Sequence, residues 1–316
     1  MVAFDFAHES FQAIGTRCEL LTYGSSSPAA AFQSARSEIA AIDYHASFFR
    51  ADSELTSLNL DRRGTVQVSA TLFELLEVYR NAFRISSGAI DAAVGADLAE
   101  LVRDGNPAVH AASLTAPKLD FSSVSLDPRN LTVTRPVGLL LDLGGLGKSW
   151  LADRVAKRMV RAGGGGVVVN LGGDIAIGGE APSGGWPVRI TEDASLDPDA
   201  AGQIVHLSSG AIATSSRLTR RWLDSEGQLR EHLVGVDDTS GVGVAIVTAT
   251  AAAGTALEAN VATLSTLLAG PRGVAVMARF GYPALLRGSD GTAVTLSGWP
   301  SRGSRRSAER RLEAAI

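Results

Sequence analysis

The sequence predicts an α+β fold in which mixed or antiparallel sheets pack against helices. Hairpin patterns and amphipathic helical patterns follow one another without the steady strand–helix alternation of a parallel sheet. The chain has 316 residues, of which 45% are hydrophobic and 20% are charged, so it can bury a large core. We expect a single domain over residues 1–300, which could be divided into two lobes. Residues 301–316, rich in Arg and then in Ala, are predicted to be a frayed tail.

Periodicity and turn residues predict the individual elements in order. Helices are predicted over residues 28–48, 72–83, 151–159, 256–269 and 274–281. Strands are predicted over residues 11–23 (the edge of a strand pair), 66–68, 139–141, 167–169, 187–190, 203–207 and 242–249. Hairpins are predicted over residues 124–134 and 284–296, and a linker of small residues over 107–117.

Charge and cysteine content exclude several classes of protein. The net charge is −4 and no basic stripe precedes the C-terminus, which argues against nucleic acid as a partner. Cys18 is the only cysteine, so neither an intrachain disulfide nor a cysteine-rich metal site can form. The first residues lack the apolar core of a signal peptide, and no window is apolar enough for a membrane span. We therefore expect a cytoplasmic protein.

The stretch from residue 139 to 159 is the first candidate site. Three leucines lead into Asp142, and Gly144-Gly145 and Lys148 follow before an amphipathic run. This order predicts strand, glycine turn and helix, which brings bare N–H groups and a helix N-terminus to one point that suits a phosphate. Asp142 would repel phosphate unless a cation lay between them. The stretch therefore indicates a phosphate ligand with a divalent metal, and the alternative is a tight turn without a ligand.

Two known nucleotide-binding loops do not match this stretch. The P-loop pattern matches at Gly147, Lys148 and Ser149, but its first glycine falls on Asp142. The dinucleotide pattern is missing, and the glycine run over residues 163–166 precedes a strand instead of following one. A P-loop nucleotide hydrolase is therefore disfavoured.

Three further segments carry candidate site residues. A second glycine turn, which contains an acid, follows the strand at 167–169, and residues 210–216 are small and polar enough for backbone to approach a flat ligand. Gly88 and Asp91 form a turn that is either a helix C-cap followed by an N-cap or part of a ligand site. His232 lies in a polar loop, where a lone histidine is more often a hydrogen-bonding residue than a catalyst.

Together these motifs resemble the ApbE family, the FAD:protein FMN transferases, from Gly15 to about Gly270. The residues that carry the resemblance are Gly15-Thr16, Ser53-Glu54-Leu55 with Leu58-Asn59, Gly88 with Asp91, and Ala213 to Ser216. The family turn N-x-G-G-D matches Asn170, Gly172, Gly173 and Asp174. The family signature D-L-G-G-I-A-K-G is similar to residues 142–149, with departures at Leu146, Gly147 and Ser149.

The resemblance implies an ApbE-like fold and a magnesium-dependent reaction on FAD. A Thr or Ser hydroxyl of a target protein attacks the phosphorus beside riboflavin, AMP leaves, and FMN remains in a phosphoester bond; some relatives hydrolyse FAD to FMN and AMP instead. The implied catalytic residues are Asp142, Lys148 and His232. The implied cofactor-binding residues are Gly15, Thr16, Asp91, Gly144, Gly145, Lys148, Asn170, Gly172, Gly173, Asp174, Thr214 and Ser215.

The metal ligands are where the sequence departs most from the family. The resemblance implies the carbonyl of Gly147 and two side chains of a helix that begins A-D-x-x-x-T. Asn260 stands in the place of the aspartate, Glu258 lies two residues before it, and Thr263 lies three residues beyond it. Magnesium prefers anionic oxygen, so the amide weakens the site unless Glu258 substitutes. The segment around His232 retains only the histidine of the family's H-x-x-D-P-x-T-G. A flavin-binding homologue with impaired catalysis is therefore the alternative to an active transferase.

Overall fold

The computed structural model of the protein describes residues 6–101, 107–191, 201–218, 221–223, 229–231 and 245–300. Within these ranges the α-helices are α1 (Pro28–Ala46), α2 (Glu54–Leu60), α3 (Ala70–Ile85), α4 (Gly95–Leu101), α5 (Pro107–Ser113), α6 (Gly144–Arg161), α7 (Ala256–Leu268) and α8 (Gly273–Phe280).

The strands fall in groups between these helices. They are β1 (Phe6–Ala13), β2 (Thr16–Tyr23), β3 (Thr65–Gln67), β4 (Ser125–Asp127), β5 (Thr132–Thr134), β6 (Gly166–Leu171), β7 (Asp174–Gly178), β8 (Trp186–Thr191), β9 (Gly202–Leu207), β10 (Ala211–Ser216), β11 (Arg221–Leu223), β12 (Leu229–Glu231), β13 (Ile246–Ala253), β14 (Ala284–Gly288) and β15 (Ala293–Leu296). Within the described residues, β6 to β13 follow one another between α6 and α7.

One large sheet joins strands from both ends of the described chain. Its order is β1-β2-β6-β7-β10-β13-β14-β15, and every neighbouring pair in it is antiparallel. A three-stranded sheet, β3-β5-β4, and the pairs β8-β9 and β11-β12 complete the strand pairing. The predicted α+β class is confirmed, and so are the hairpins that became β4-β5 and β14-β15.

Helix α6 packs against elements from several parts of the chain. It contacts α1 on one side, β6 and β7 of the large sheet on another, and α7 further along. Its apolar stripe of Leu151, Val155 and Met159 is fully buried, as the sequence spacing predicted. Asp153 of α6 also accepts hydrogen bonds from the first two N–H groups of α7, at 2.8 and 3.0 Å, which fixes where α7 begins.

The leucines at residues 139–141 are buried but do not form the predicted strand. Both backbone groups of Leu141 pair with the side chain of Asn59: Asn59 Nδ2 donates to the Leu141 carbonyl, and the Leu141 N–H donates to Asn59 Oδ1, each at 2.9 Å. The Leu140 carbonyl accepts from the N–H of Gly95 at 3.1 Å. Because loop and side-chain groups satisfy this backbone, no partner strand is needed.

Buried Arg135 adds a second tie between the same two segments. Its guanidinium donates to the carbonyls of Leu58, Asn59 and Asp61 at the end of α2, and also to the Leu139 carbonyl at 3.1 Å. Arg135 therefore joins the end of α2 to the chain that leads into α6.

Three other expectations change. The predicted linker at 107–117 contains α5, whose residues Val109 and Ser113 turn one face inward at helical spacing. Residues 210–216, for which no secondary structure was predicted, contain the interior strand β10. The strand predicted at 242–249 is observed from Ile246 to Ala253.

The predicted tail at 301–316 lies outside the described residues. Within the described residues no helix is long and apolar enough to cross a bilayer.

We predict that Asn59→Ala lowers the free energy of unfolding by about 2–5 kcal/mol, because it leaves the buried N–H and carbonyl of Leu141 without partners. Denaturant unfolding monitored by circular dichroism measures the change. Asn130→Ala is the matched control: its side chain makes one exposed hydrogen bond to Asp127, so the loss should be below about 1 kcal/mol. Equal losses for the two variants would contradict the role assigned to Asn59.

Candidate functional site

A cleft of about 220 Å³ opens where the start of α6, the turn between β6 and β7, the end of β10 and the middle of α7 meet. Ten of the residues predicted for the site line it: Asp91, Asp142, Gly144, Gly145, Lys148, Gly172, Asp174, Thr214, Ser215 and Asn260. The lining does not include Gly15, Thr16, Gly147, Asn170, Gly173, Glu258 or Thr263. His232 lies outside the described residues.

The sequence analysis missed the apolar wall of the cleft. This wall consists of Phe49, Tyr79, Ala89, Ile90, Val94, Leu98, Leu264 and Leu268. Phe49 is 53% exposed, although phenylalanine side chains are usually buried. An exposed aromatic ring in a cleft indicates a surface that can contact a ligand. The sequence holds no comparable signal, because an apolar side chain at a cleft has the same pattern as one in the core.

The start of α6 does not present the bare N–H groups that the sequence predicted. The glycines form the first turn of the helix, and the N–H of Gly144 donates to Asp142 Oδ2 at 3.1 Å. The N–H of Leu146 donates to the hydroxyl of Tyr79 at 2.9 Å, and the N–H of Gly147 donates to the Leu143 carbonyl. The helix therefore offers its positive end to the cleft, with these donors already satisfied by the protein.

The glycine at residue 145 leaves room for the Tyr79 hydroxyl at this turn. A Cβ at Gly145 would lie 3.3 Å from the Tyr79 hydroxyl oxygen, tighter than ordinary contact. Burial, and then the negative charge of Asp142, raise the pKa of Tyr79 well above its usual value, while the N–H groups of Leu146 and Gly145 oppose this shift. Tyr79 is therefore held as a neutral phenol that accepts from the helix start.

The charged groups of the cleft are unequal in number. Among the described lining residues, Asp91, Asp142 and Asp174 are carboxylates and Lys148 is the one cation. Lys148 Nζ donates to the Gly144 carbonyl at 3.1 Å, which holds the ammonium at the start of α6. An anionic ligand would be attracted to Lys148 and repelled by the three carboxylates, of which Asp142 also lies at the start of α6.

Asp91 has structural hydrogen bonds in addition to its place on the wall. Its Oδ1 accepts from the N–H groups of Ala93 at 2.7 Å and Phe121 at 3.1 Å. Burial raises the pKa of Asp91, and these two N–H groups lower it by a smaller amount. Gly88, with φ of +88°, ends α3 through a hydrogen bond to the Phe83 carbonyl. Gly88 thus ends α3 as the capping interpretation predicts, but Asp91 does not cap a helix: it accepts from Ala93 and Phe121, α4 begins only at Gly95, and Asp91 also faces the cleft.

Three predicted residues that do not line the cleft shape the turn between β6 and β7. Asn170 Oδ1 accepts from the N–H of Gly173 at 2.9 Å and closes the turn. Gly172 has φ of +70°, and a Cβ there would lie 2.4 Å from Thr16 Oγ1. Thr16, Asn170 and Gly173 therefore position the turn, while Gly172 and Asp174 face the cleft.

The floor of the cleft is a hydrogen-bonded group centred on Asn260, which is 4% exposed. Asn260 Nδ2 donates to the Gly145 carbonyl at 2.8 Å and to Ser149 Oγ at 3.0 Å. Ser215 Oγ lies 3.2 Å from Asn260 Oδ1 and 2.8 Å from Thr263 Oγ1. This group joins α6, β10 and α7.

The residues expected to bind magnesium do not assemble into a site that fits it. Glu258 is exposed and forms a capping box with Thr255 at the start of α7, away from the cleft lining. The group around Asn260 contains an amide and hydroxyls but no carboxylate, and magnesium prefers anionic oxygen. Within the described chain, no three His, Cys, Asp or Glu residues are grouped closely enough to hold a metal ion.

Comparison with known proteins identifies the class of protein. The ApbE family profile matches residues 14–286, so the chain belongs to the ApbE family. The comparison with curated protein sequences found no match.

Three solved structures share the fold. The ApbE protein of Thermotoga maritima is 20% identical, with a TM-score of 0.77 and coverage of 92% of this chain and 97% of that one. The flavin transferase ApbE of Vibrio cholerae is 21% identical, with a TM-score of 0.75 and coverage of 94% and 99%. The apo flavinyl transferase ApbE of Pseudomonas stutzeri is 18% identical, with a TM-score of 0.73 and coverage of 93% and 95%. At these identities the likeness establishes the fold.

We predict that Tyr79→Phe lowers the free energy of unfolding at neutral pH by about 1–3 kcal/mol, because the N–H of Leu146 loses its acceptor. The folded-state pKa of Tyr79 is raised, so the unfolded chain loses this proton first as the pH rises. The stabilisation from Tyr79 is therefore complete below about pH 10 and falls above it. Denaturant unfolding should be measured at neutral pH and at a pH above about 10. The difference in free energy of unfolding between wild type and variant should be smaller at the alkaline pH. Tyr44→Phe, at a half-exposed site on α1, is the control and should show neither effect.

Proposed function

We propose that the chain binds FAD in this cleft and transfers FMN to a Thr or Ser hydroxyl of a target protein, with release of AMP. The observation that carries the proposal is a cleft, in a member of the ApbE family, that is lined both by a lysine at a helix N-terminus and by apolar side chains. The lining offers Lys148 at the positive end of α6, which suits a phosphate. It also offers exposed Phe49 and aliphatic side chains, which suit a flat ring.

The placement of FAD follows from these two groups of lining residues. Its pyrophosphate is assigned to the side of Lys148, where an ammonium and a helix dipole attract negative charge. Its isoalloxazine ring is assigned to the wall that contains Phe49, Ile90 and Leu98, because an aromatic face and aliphatic groups stabilise a planar apolar ligand. FAD should accordingly bind more tightly than FMN, and ATP, which has no flavin ring, should bind more weakly.

The proposed transfer exchanges one phosphorus–oxygen bond for another. The hydroxyl oxygen of the target attacks the phosphorus beside riboflavin, and the bond from that phosphorus to the bridging oxygen breaks. AMP leaves with the bridging oxygen, and Lys148 offsets the charge on the phosphoryl oxygens. The hydroxyl proton is assigned to Asp142, which lines the cleft at the start of α6. His232 is a second candidate base on the resemblance alone. With water as the acceptor, the same step hydrolyses FAD to FMN and AMP.

No step is routed through magnesium, because the group around Asn260 offers only neutral oxygens and magnesium prefers anionic ones. The same observation favours a second candidate function, a flavin-binding homologue with impaired transfer. The cytoplasmic location expected from the sequence remains a prediction.

Chromatography separates the two candidate functions. We predict that the purified chain, incubated with FAD, releases AMP and FMN slowly with water as the acceptor. Adding a protein with the target hydroxyl should then give equimolar AMP and covalently bound FMN. FAD binding without AMP release in either mixture would favour the impaired homologue. No flavin binding at all would refute both functions.

We predict that Lys148→Ala weakens FAD binding by about 1–3 kcal/mol, because a charge-assisted contact to the pyrophosphate is lost. Flavin fluorescence titration measures the dissociation constant. Lys157→Ala is the matched control: Lys157 lies on the same helix and is exposed, but lines hollows away from the cleft. A similar dissociation constant for wild type and Lys148→Ala would remove Lys148 from the phosphate site.

A further inference from the structure

Two departures from the family signature touch each other in the cleft floor. Ser149 stands where the signature has glycine, and Asn260 stands where the family helix has aspartate. Asn260 Nδ2 donates to Ser149 Oγ at 3.0 Å, and the two residues are 4% and 0% exposed. The changes therefore belong to one local arrangement between α6 and α7.

The neighbours of the amide fix its orientation. The Gly145 carbonyl can only accept a hydrogen bond, and the Ser149 hydroxyl donates its proton to the Leu146 carbonyl at 2.9 Å. Both oxygens therefore present lone pairs to Asn260, and the NH₂ group must face them. The amide oxygen faces the hydroxyl of Ser215 on β10.

In this arrangement two N–H donors face oxygen lone pairs that a cation could otherwise face. The NH₂ group satisfies the Gly145 carbonyl and the Ser149 hydroxyl without introducing a net charge. A carboxylate at residue 260 would instead direct negative oxygen at those lone pairs, which is unfavourable in a buried site unless a cation lies between them. Glu258 does not make up the charge in this geometry, because it is exposed at the start of α7, accepts from the N–H of Thr255 at 3.0 Å, and does not line the cleft.

We propose that this chain binds FAD without a divalent cation, with the Asn260 amide occupying the place of the metal between α6 and β10. The proposal rests on the proposed function to the extent that FAD is the ligand. It goes beyond that function by removing the metal from the binding step and by assigning the reason to the pair Asn260 and Ser149.

Flavin fluorescence titration of the wild-type chain, in EDTA and in magnesium chloride, tests the proposal. The dissociation constants for FAD should agree within about twofold, since no ligand-bridging ion is lost. Binding that occurs in magnesium chloride but disappears in EDTA would overturn the inference and leave the proposed function standing. Failure to bind FAD in either solution would overturn the proposed function and the inference together.

Variants at residue 260 test the structural reason. Asn260→Asp should have a lower melting temperature than wild type in EDTA and recover in magnesium chloride, and its FAD affinity should become magnesium-dependent by about tenfold. Asn260→Ala is the control: it loses the amide without adding charge, so its melting temperature should fall equally in both solutions. Asn260→Asp combined with Ser149→Gly relieves crowding around the carboxylate and provides a second test if the single variant unfolds. If both aspartate variants had the same melting temperature and the same FAD affinity in EDTA and in magnesium chloride, the assignment would be overturned.

Discussion

The two hydrogen bonds between the Asn59 side chain and the backbone of Leu141 anchor the buried segment that leads into α6. They hold the buried leucine segment without a partner strand, so the chain enters α6 at a defined point. Asp142 and the start of α6 then face the cleft, and Tyr79 of α3 accepts from the N–H of Leu146. Because α6 in turn positions the start of α7 through Asp153, the cleft depends on this buried amide together with the second tie made by Arg135.

The start of α6 differs in kind from a phosphate-binding loop. In such loops several backbone N–H groups remain free to surround the anion. Here a carboxylate and a phenol already accept from this turn, so the attraction for phosphate comes from Lys148 and from the helix dipole. Electrostatic attraction of this kind is less directional than a set of N–H donors, and the shape of the apolar wall must provide more of the ligand's orientation.

Family membership and the chemistry of the cleft are separate conclusions. The ApbE profile covers most of the chain, and the fold matches solved ApbE proteins. Yet residue 260 is an amide with both NH₂ hydrogens directed at oxygen atoms of α6, and Glu258 serves the start of its own helix. A fold can therefore persist while the charge at its site changes, because the packing of α7 against β10 and β13 does not require a metal.

The elements whose pattern is local could be predicted from the amino-acid sequence. The apolar stripe of α6, the hairpin β14-β15 and the glycine turn before Asp174 could all be recognised because periodicity and turn residues act over a few neighbours. The sequence also named most of the polar cleft residues through the family motifs. The tertiary structure decided which backbone groups are satisfied and by what. Leu141 pairs with a side chain 82 residues away, and the Ser149 hydroxyl meets the Asn260 amide across 111 residues. No local pattern encodes such partners, because a hydrogen bond depends on where two distant segments come together in space.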